Sequence, residues 1–203
     1  MTQSADEKRK TRLRLGVLVS GRGSNLQAIV DAVAKGTLDA EVSVVVSDKP
    51  DAPALRRIKA DVAAVVDRRS YADADSFENA IASVLTERSV ELVVLAGFMR
   101  VLNPAFISRF TGRIINIHPS LLPSFRGLHA QRQALEYGVK ISGCTVHLVD
   151  ETLDGGPILA QAAVPVLAED TEESLSERIL KEEHRILVKA IADIAHRRHA
   201  QSG

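Results

Sequence analysis

Short, almost continuous apolar runs alternate along this chain with longer stretches whose apolar residues recur every three or four positions. The runs at residues 13–19, 41–47, 62–66 and 92–96 are rich in Val and Leu and have the length of strands. Helices are expected between them over residues 25–35, 54–60 and 76–88, the last carrying Phe77, Ile81, Val84 and Leu85 on one stripe. Strands that are apolar at nearly every position and joined by helices imply a parallel sheet covered on both faces. Further strands are expected at 114–117, 143–149 and 158–166. The stretch 150–157 between the last two must be loop, because Gly155-Gly-Pro157 ends regular structure. A long C-terminal helix should begin near Asp170 or Thr171, with Asp170 and Glu173 capping its first turn, and run to about His196. The pattern predicts an α/β fold with a doubly wound, mostly parallel sheet. With no repeat and no linker, residues 13–203 read as one domain, and the polar residues 1–12 as a flexible, solvated lead-in.

Composition narrows the class. The 203 residues include 26 basic and 26 acidic side chains. This balance offers no bulk attraction for nucleic acid or an anionic membrane. Cys144 is the only cysteine, which excludes a disulfide framework and a cysteine-based zinc site and suits a reducing cytoplasm. It reads as a small buried filler in an apolar strand.

Three places carry candidate chemistry. Ser20-Gly-Arg-Gly-Ser-Asn25 lies between the first strand and the first helix, where glycines allow close backbone approach and a helix start offers unpaired N–H groups to an anion. Gly23, Ser24 and Asn25 would form a phosphate cradle. Leu26 stands where a dinucleotide fingerprint needs a third glycine, and there is no Gly-Lys-Ser/Thr of a Walker loop, so an ordinary capped turn is an equal reading. In Asn116-Ile-His118 the two polar residues are two apart on a strand and share a face at its carboxyl end, where open parallel sheets bind ligands. A carboxamide can donate to an oxyanion and an imidazole can move a proton, although a strand-end pair can also simply satisfy backbone groups. Asp154 precedes two glycines and reads alone as a turn former. His147 reads as a satisfied strand histidine, and His129, in a loop at the start of a helix, as a minor substrate-contact candidate. On the last helix, at roughly 100° per residue, Ile179, Leu187, Ala190 and Ile194 fall within about 40° of Glu183. Glu183 therefore points into the body of the protein, where a carboxylate must be paired, neutralised or exposed to a cavity.

The segments Val19-Ser-Gly-Arg-Gly-Ser-Asn-Leu-Gln-Ala28, Val93-Val-Leu-Ala-Gly-Phe-Met-Arg100, Asn116-Ile-His-Pro-Ser-Leu-Leu-Pro123 and Leu153-Asp-Gly-Gly-Pro157 occur in this order over about residues 15–194. In these the sequence resembles the folate-dependent phosphoribosylglycinamide formyltransferases. The resemblance implies a Rossmann-like formyltransferase fold and small-molecule substrates, glycinamide ribonucleotide and 10-formyltetrahydrofolate. It implies no metal, nucleic-acid or membrane partner, and a monomer or homodimer. It assigns catalysis to Asn116, His118 and Asp154, the acceptor's phosphate to Gly23, Ser24 and Asn25, and its amine to the neighbourhood of Glu183. The folate would lie on Met99, Arg100, Val101 and Leu102 and on Asp150, Glu151, Thr152, Leu153 and Asp154. The family carries a folate-contacting arginine before the third helix; here Ala74 stands in its place, with Arg68 and Arg69 nearby. Related folate enzymes that formylate methionyl-tRNA or hydrolyse the donor carry an additional domain, which this length is not expected to hold. A non-catalytic nucleotide-binding module would leave Asn116, His118 and Asp154 without a common purpose.

Overall fold

The computed structural model describes residues 12–201. Except for Arg12, the expected lead-in lies outside the described residues. Seven strands, β1 (Leu13–Val19), β2 (Ala40–Ser47), β3 (Ala63–Val65), β4 (Leu92–Leu95), β5 (Ile114–His118), β6 (Ile141–Leu148) and β7 (Ile158–Pro165), form one sheet in the order β3-β2-β1-β4-β5-β6-β7. The first five pair in parallel. β6 and β7 return antiparallel, so the mostly parallel character holds and the second half of the chain closes the sheet as a meander.

Helices cover both faces, as the continuous apolar strands require. On one face α1 (Ser24–Ala34) and the long α5 (Glu172–Gln201) bury Leu26, Ile29, Leu175, Ile179, Leu187 and Ile191 against Leu15, Val17, Ile115 and Ile117. On the other, α2 (Ala74–Glu87) and α3 (Pro104–Arg109) bury Phe77, Ile81, Leu85, Phe106 and Ile107 against Leu18, Val93 and Ile114. Gly16 lets α2 approach closely, since a Cβ there would stand 2.5 Å from Leu85 Cδ2. A short helix α4 (Ala130–Tyr137) follows the segment that leaves β5.

The expected helix over residues 54–60 is instead two 3₁₀ turns, Pro53–Arg57 and Ala60–Val62. Only Ala54 of the first is buried, so the segment lacks the apolar stripe that would hold a full helix against the sheet. The third strand shrinks correspondingly to three residues at the sheet edge. The six-residue α3 is too short to display a period, yet its start is well specified: Pro104 occupies the first turn and the Asn103 side chain accepts from the Phe106 N–H at 2.7 Å. At the start of α5 the reciprocal cap is made by Thr171 and Ser174, each side chain accepting from the other's backbone N–H at 3.2 and 3.0 Å. Asp170, expected to cap, is held instead by Arg178 at 2.6 and 2.8 Å. A charge-assisted fork outweighs a neutral cap.

Gly143 on β6 is where the returning strands meet the segment after β5. A Cβ there would lie 2.0 Å from the Ala162 carbonyl oxygen of β7 and 2.8 Å from Leu121 Cδ2. Gly143→Ala is therefore expected to destabilise the fold by about 1–3 kcal/mol. Chemical denaturation would measure this, and unchanged stability would show that β7 yields freely.

Candidate active site

Asn116 and His118 project from the carboxyl end of β5 on the α2 side of the sheet, whereas Ile117 between them belongs to the opposite core. Antiparallel pairing sets His147 opposite Asn116 and Thr145 opposite His118. Thr145 ties the segment after β5 to β6. Its hydroxyl donates to the Ser120 carbonyl at 2.7 Å and accepts from the Leu122 N–H at 3.1 Å. The Leu122–Pro123 peptide in this segment is cis.

Asp154 arrives from the loop between β6 and β7 with φ 48°, a left-handed backbone uncommon outside glycine. Gly156 permits the loop to lie down on β6, because a Cβ there would stand 2.0 Å from the Leu148 carbonyl oxygen. The Asp154 carboxylate then meets several donors. Oδ2 accepts from the Gly127 N–H at 2.8 Å and faces His118 Nδ1 at 3.4 Å. Oδ1 accepts from Asn116 Nδ2 at 3.4 Å and lies 3.7 Å from His147 Nε2. His118 Nε2 donates to the Phe125 carbonyl at 2.8 Å. Burial pushes the Asp154 carboxyl up, but the Gly127 N–H and the neighbouring His118 ring help bring it below its ordinary value. The sequence pair and the loop aspartate thus come together. His147, read from sequence as a satisfied strand histidine, does bond the Leu148 carbonyl through Nδ1 at 2.8 Å, and its other nitrogen enters this cluster. Its placement depends on cross-strand register, which spacing along one strand does not reveal.

On the other side of β5 opens a cleft of about 630 Å³. Gly23, Ser24, Asn25, Met99, Ile117, Pro119 and Glu183 are all among its walls. Gly23 has φ 72° and fits against Ala54, whose Cβ would lie 2.6 Å from an added methyl group. The first-turn N–H groups of α1 have no intrahelical partners, and the helix dipole there would favour an anion. Glu183 is 7% exposed, and its Oε2 accepts from Asn25 Nδ2 at 2.8 Å. Burial raises its carboxyl, and the Asn25 bond opposes that rise. Asn25 Oδ1 is buried without a partner. The pair thus presents acceptors that a ligand's N–H or O–H groups would satisfy.

The remaining residues expected near a donor molecule divide. Met99, Val101 and Leu153 are exposed apolar side chains, whereas Leu102 is buried and its side chain belongs to the core. Asp150 accepts from the Thr152 N–H at 2.8 Å, shaping an exposed turn that also contains Glu151. Arg100 Nε bonds the buried Asp48 at 2.6 Å, and its guanidinium lies 5.6 Å from the Phe77 ring centroid. Arg68 occupies the same ring at 5.7 Å. Neither Asp48 nor Phe77 was a sequence candidate, because a strand-end acid and a core aromatic carry no local signal. Cys144 is fully buried, with burial pushing its thiol up to about 12. Among the described residues no group of three His, Cys, Asp or Glu side chains could hold a metal ion, and no helix is long and apolar enough to cross a membrane.

A family model described as formyl transferase matches residues 13–191. The chain belongs to the formyl transferase family. It is 43% identical over 176 residues to phosphoribosylglycinamide formyltransferase of Escherichia coli (strain K12), covering 86% of this chain and 83% of that protein. It is 45% identical to part of the trifunctional purine biosynthetic protein adenosine-3 of Gallus gallus, a much longer protein of which it spans 18%. Among solved structures of the family, glycinamide ribonucleotide transformylase 1 from Symbiobacterium toebii superposes with a TM-score of 0.89 at 50% identity, covering 92% of this chain and 89% of that one. The phosphoribosylglycinamide formyltransferase of Brucella melitensis superposes with a TM-score of 0.85 at 46% identity, covering 91% and 96%.

The raised carboxyl of Glu183 has a thermodynamic signature. Above the ordinary glutamate range the folded state retains a proton that the unfolded chain has released, so stability falls as pH rises toward the folded value. Glu183→Gln lacks this titration while keeping an acceptor for Asn25. The melting temperature of the variant should gain on the parent steadily with rising pH across that window. Parallel curves would show that burial places no such strain on Glu183.

Proposed function

We propose that this chain transfers the formyl group of 10-formyltetrahydrofolate to the amine of glycinamide ribonucleotide in purine biosynthesis. The observation that carries the reading is the interlocked cluster of Asn116, His118 and Asp154 at the carboxyl end of β5, beside a cleft whose far wall is a helix N-terminus. Gly23, Ser24 and Asn25 take the acceptor's phosphate, and Glu183 with Asn25 takes donor groups farther along the same molecule. Met99, Val101 and Leu153 offer apolar surface to the folate ring, with the backbone around Leu102 and the Asp150–Thr152 turn at its edge.

The neutral amine attacks the formyl carbon, forming a C–N bond and moving the carbonyl π electrons onto oxygen. Asn116 Nδ2–H and His118 Nε2–H stabilise that oxyanion, the latter exchanging the Phe125 carbonyl for it. Collapse breaks the bond to the folate nitrogen, which takes up the proton the amine gives away, relayed through His118. Asp154 faces Nδ1 and holds the ring in the orientation that this exchange needs. The balanced charge of the chain and its single thiol fit a cytoplasmic enzyme acting on small molecules, as monomer or homodimer, without nucleic-acid or membrane partners.

Absorbance of the folate product, followed with and without glycinamide ribonucleotide, tests the reaction. Turnover should require the acceptor; equal rates in its absence would mean hydrolysis. Asn116→Ala or His118→Ala should keep the fold and substrate binding but lose about a hundredfold or more in kcat, near 3 kcal/mol of barrier. Near-normal turnover in either would overturn the assignment.

The family's folate-contacting arginine has a substitute in Arg68, which shares the Phe77 ring with Arg100. Arg69 is occupied with Asp67 at 2.8 Å. Arg68→Ala should raise KM for a glutamate-tailed donor about tenfold with little change in kcat, while Arg69→Ala leaves both unaltered. Steady-state kinetics showing the reverse would assign the tail to Arg69.

A further inference from the structure

His147 is buried beside the reacting cluster, with 2% of its surface exposed, and stands directly across the β5–β6 pairing from Asn116. The pairing of β6 with β7 shifts register between Val146 and His147, so the strand is irregular where this side chain is set. Nδ1 lies 2.8 Å from the Leu148 carbonyl, which only accepts, so Nδ1 carries the hydrogen. In the neutral ring Nε2 is then a bare acceptor. It lies 3.3 Å from Asn116 Nδ2 and 3.7 Å from Asp154 Oδ1.

A carboxamide has a donor end and an acceptor end of nearly equal shape, so packing alone does not choose between them. We propose that His147 is a positioning residue that makes this choice: it accepts one N–H of the Asn116 amide, so that the second N–H, held only by the long Asp154 contact, and not Oδ1, is left to meet the reacting centre. With the amide turned over, Oδ1 would meet the Nε2 lone pair and the Asp154 carboxylate together, three acceptors with no hydrogen between them. Asp154 favours the same orientation, but its contact with Nδ2 is 3.4 Å, near the outer limit of a hydrogen bond. The order of cause runs from a backbone carbonyl to an imidazole tautomer, and from the tautomer to the orientation of the oxyanion donor.

The inference rests on Asn116 acting as that donor, so the two claims are tested separately. His147→Leu removes the acceptor and keeps apolar bulk, whereas His147→Gln restores a side-chain carbonyl. The leucine variant should lose about tenfold or more in kcat, with KM for both substrates within about twofold, and the glutamine variant should recover most of the loss. In the background of Asn116→Ala, the leucine change should cost no more than about twofold, because His147 acts through the side chain already removed. Losses that multiply in the double variant, or equal losses in the leucine and glutamine variants, would overturn the proposal. Should the leucine variant fail to fold, His147→Phe repeats the cycle with the ring shape kept. Nitrogen-15 NMR of the unsubstituted protein provides a check that needs no variant: Nε2 of His147 should be the unprotonated nitrogen of a neutral ring, and a hydrogen found there would overturn the proposal. Normal turnover of Asn116→Ala alone would instead refute the donor role.

Discussion

A carboxylate with only 9% of its side chain exposed must find donors within the protein, and Asp154 draws them from β5 and from the segment that follows it. The Gly127 N–H comes from the segment after β5 and Asn116 and His118 from the strand itself, while His147 of the antiparallel partner stands 3.7 Å away and holds Asn116. None of these segments is held in place by the parallel core alone. Satisfying one buried charge therefore fixes how the two long loops lie on the sheet. The same demand sets the chemistry, because the groups that neutralise Asp154 are the groups proposed to handle an oxyanion and a proton. The left-handed backbone at Asp154 and the close approach of Gly156 to β6 are the local strain that delivers the carboxylate to this meeting point.

The parts of this arrangement that were legible in the sequence are those determined by short-range periodicity. The apolar runs announced the sheet and its two covered faces, and the two-residue spacing of Asn116 and His118 placed them on one side of a strand. Helical phase turned Glu183 inward, and it is indeed buried against Asn25. What escaped depended on register and loop path. His147 joins the cluster only because β6 pairs antiparallel with β5 at one alignment, and Asp154 enters only because its loop folds back over β6. The 3₁₀ turns after Pro53 and the six-residue α3 lay below the length at which a period can be counted. Asp48 and Phe77, which steady two arginines, are recognisable only once strands distant in sequence lie side by side.

The second buried carboxylate, Glu183, is treated differently from the first. Among the described residues it has one neutral hydrogen-bond donor and no cation, so its charge is poorly compensated. Asp154 is saturated with donors and holds its charge well. One acid is thus a well-compensated anion, and the other has capacity left for a further hydrogen-bonding partner. The contrast follows from their surroundings rather than their residue type.

The strand between these two acids is read with a parity. Its even-numbered side chains, Asn116 and His118, look toward the reactive cluster, whereas Ile117 and then Pro119 look into the cleft. The proposed tasks of recognition and reaction therefore fall on alternate residues of one short stretch. Changes at odd positions can reshape the chamber for a different guest while the even positions keep their alignment. A shift of the strand by a single residue would exchange the two sets and leave neither in its place.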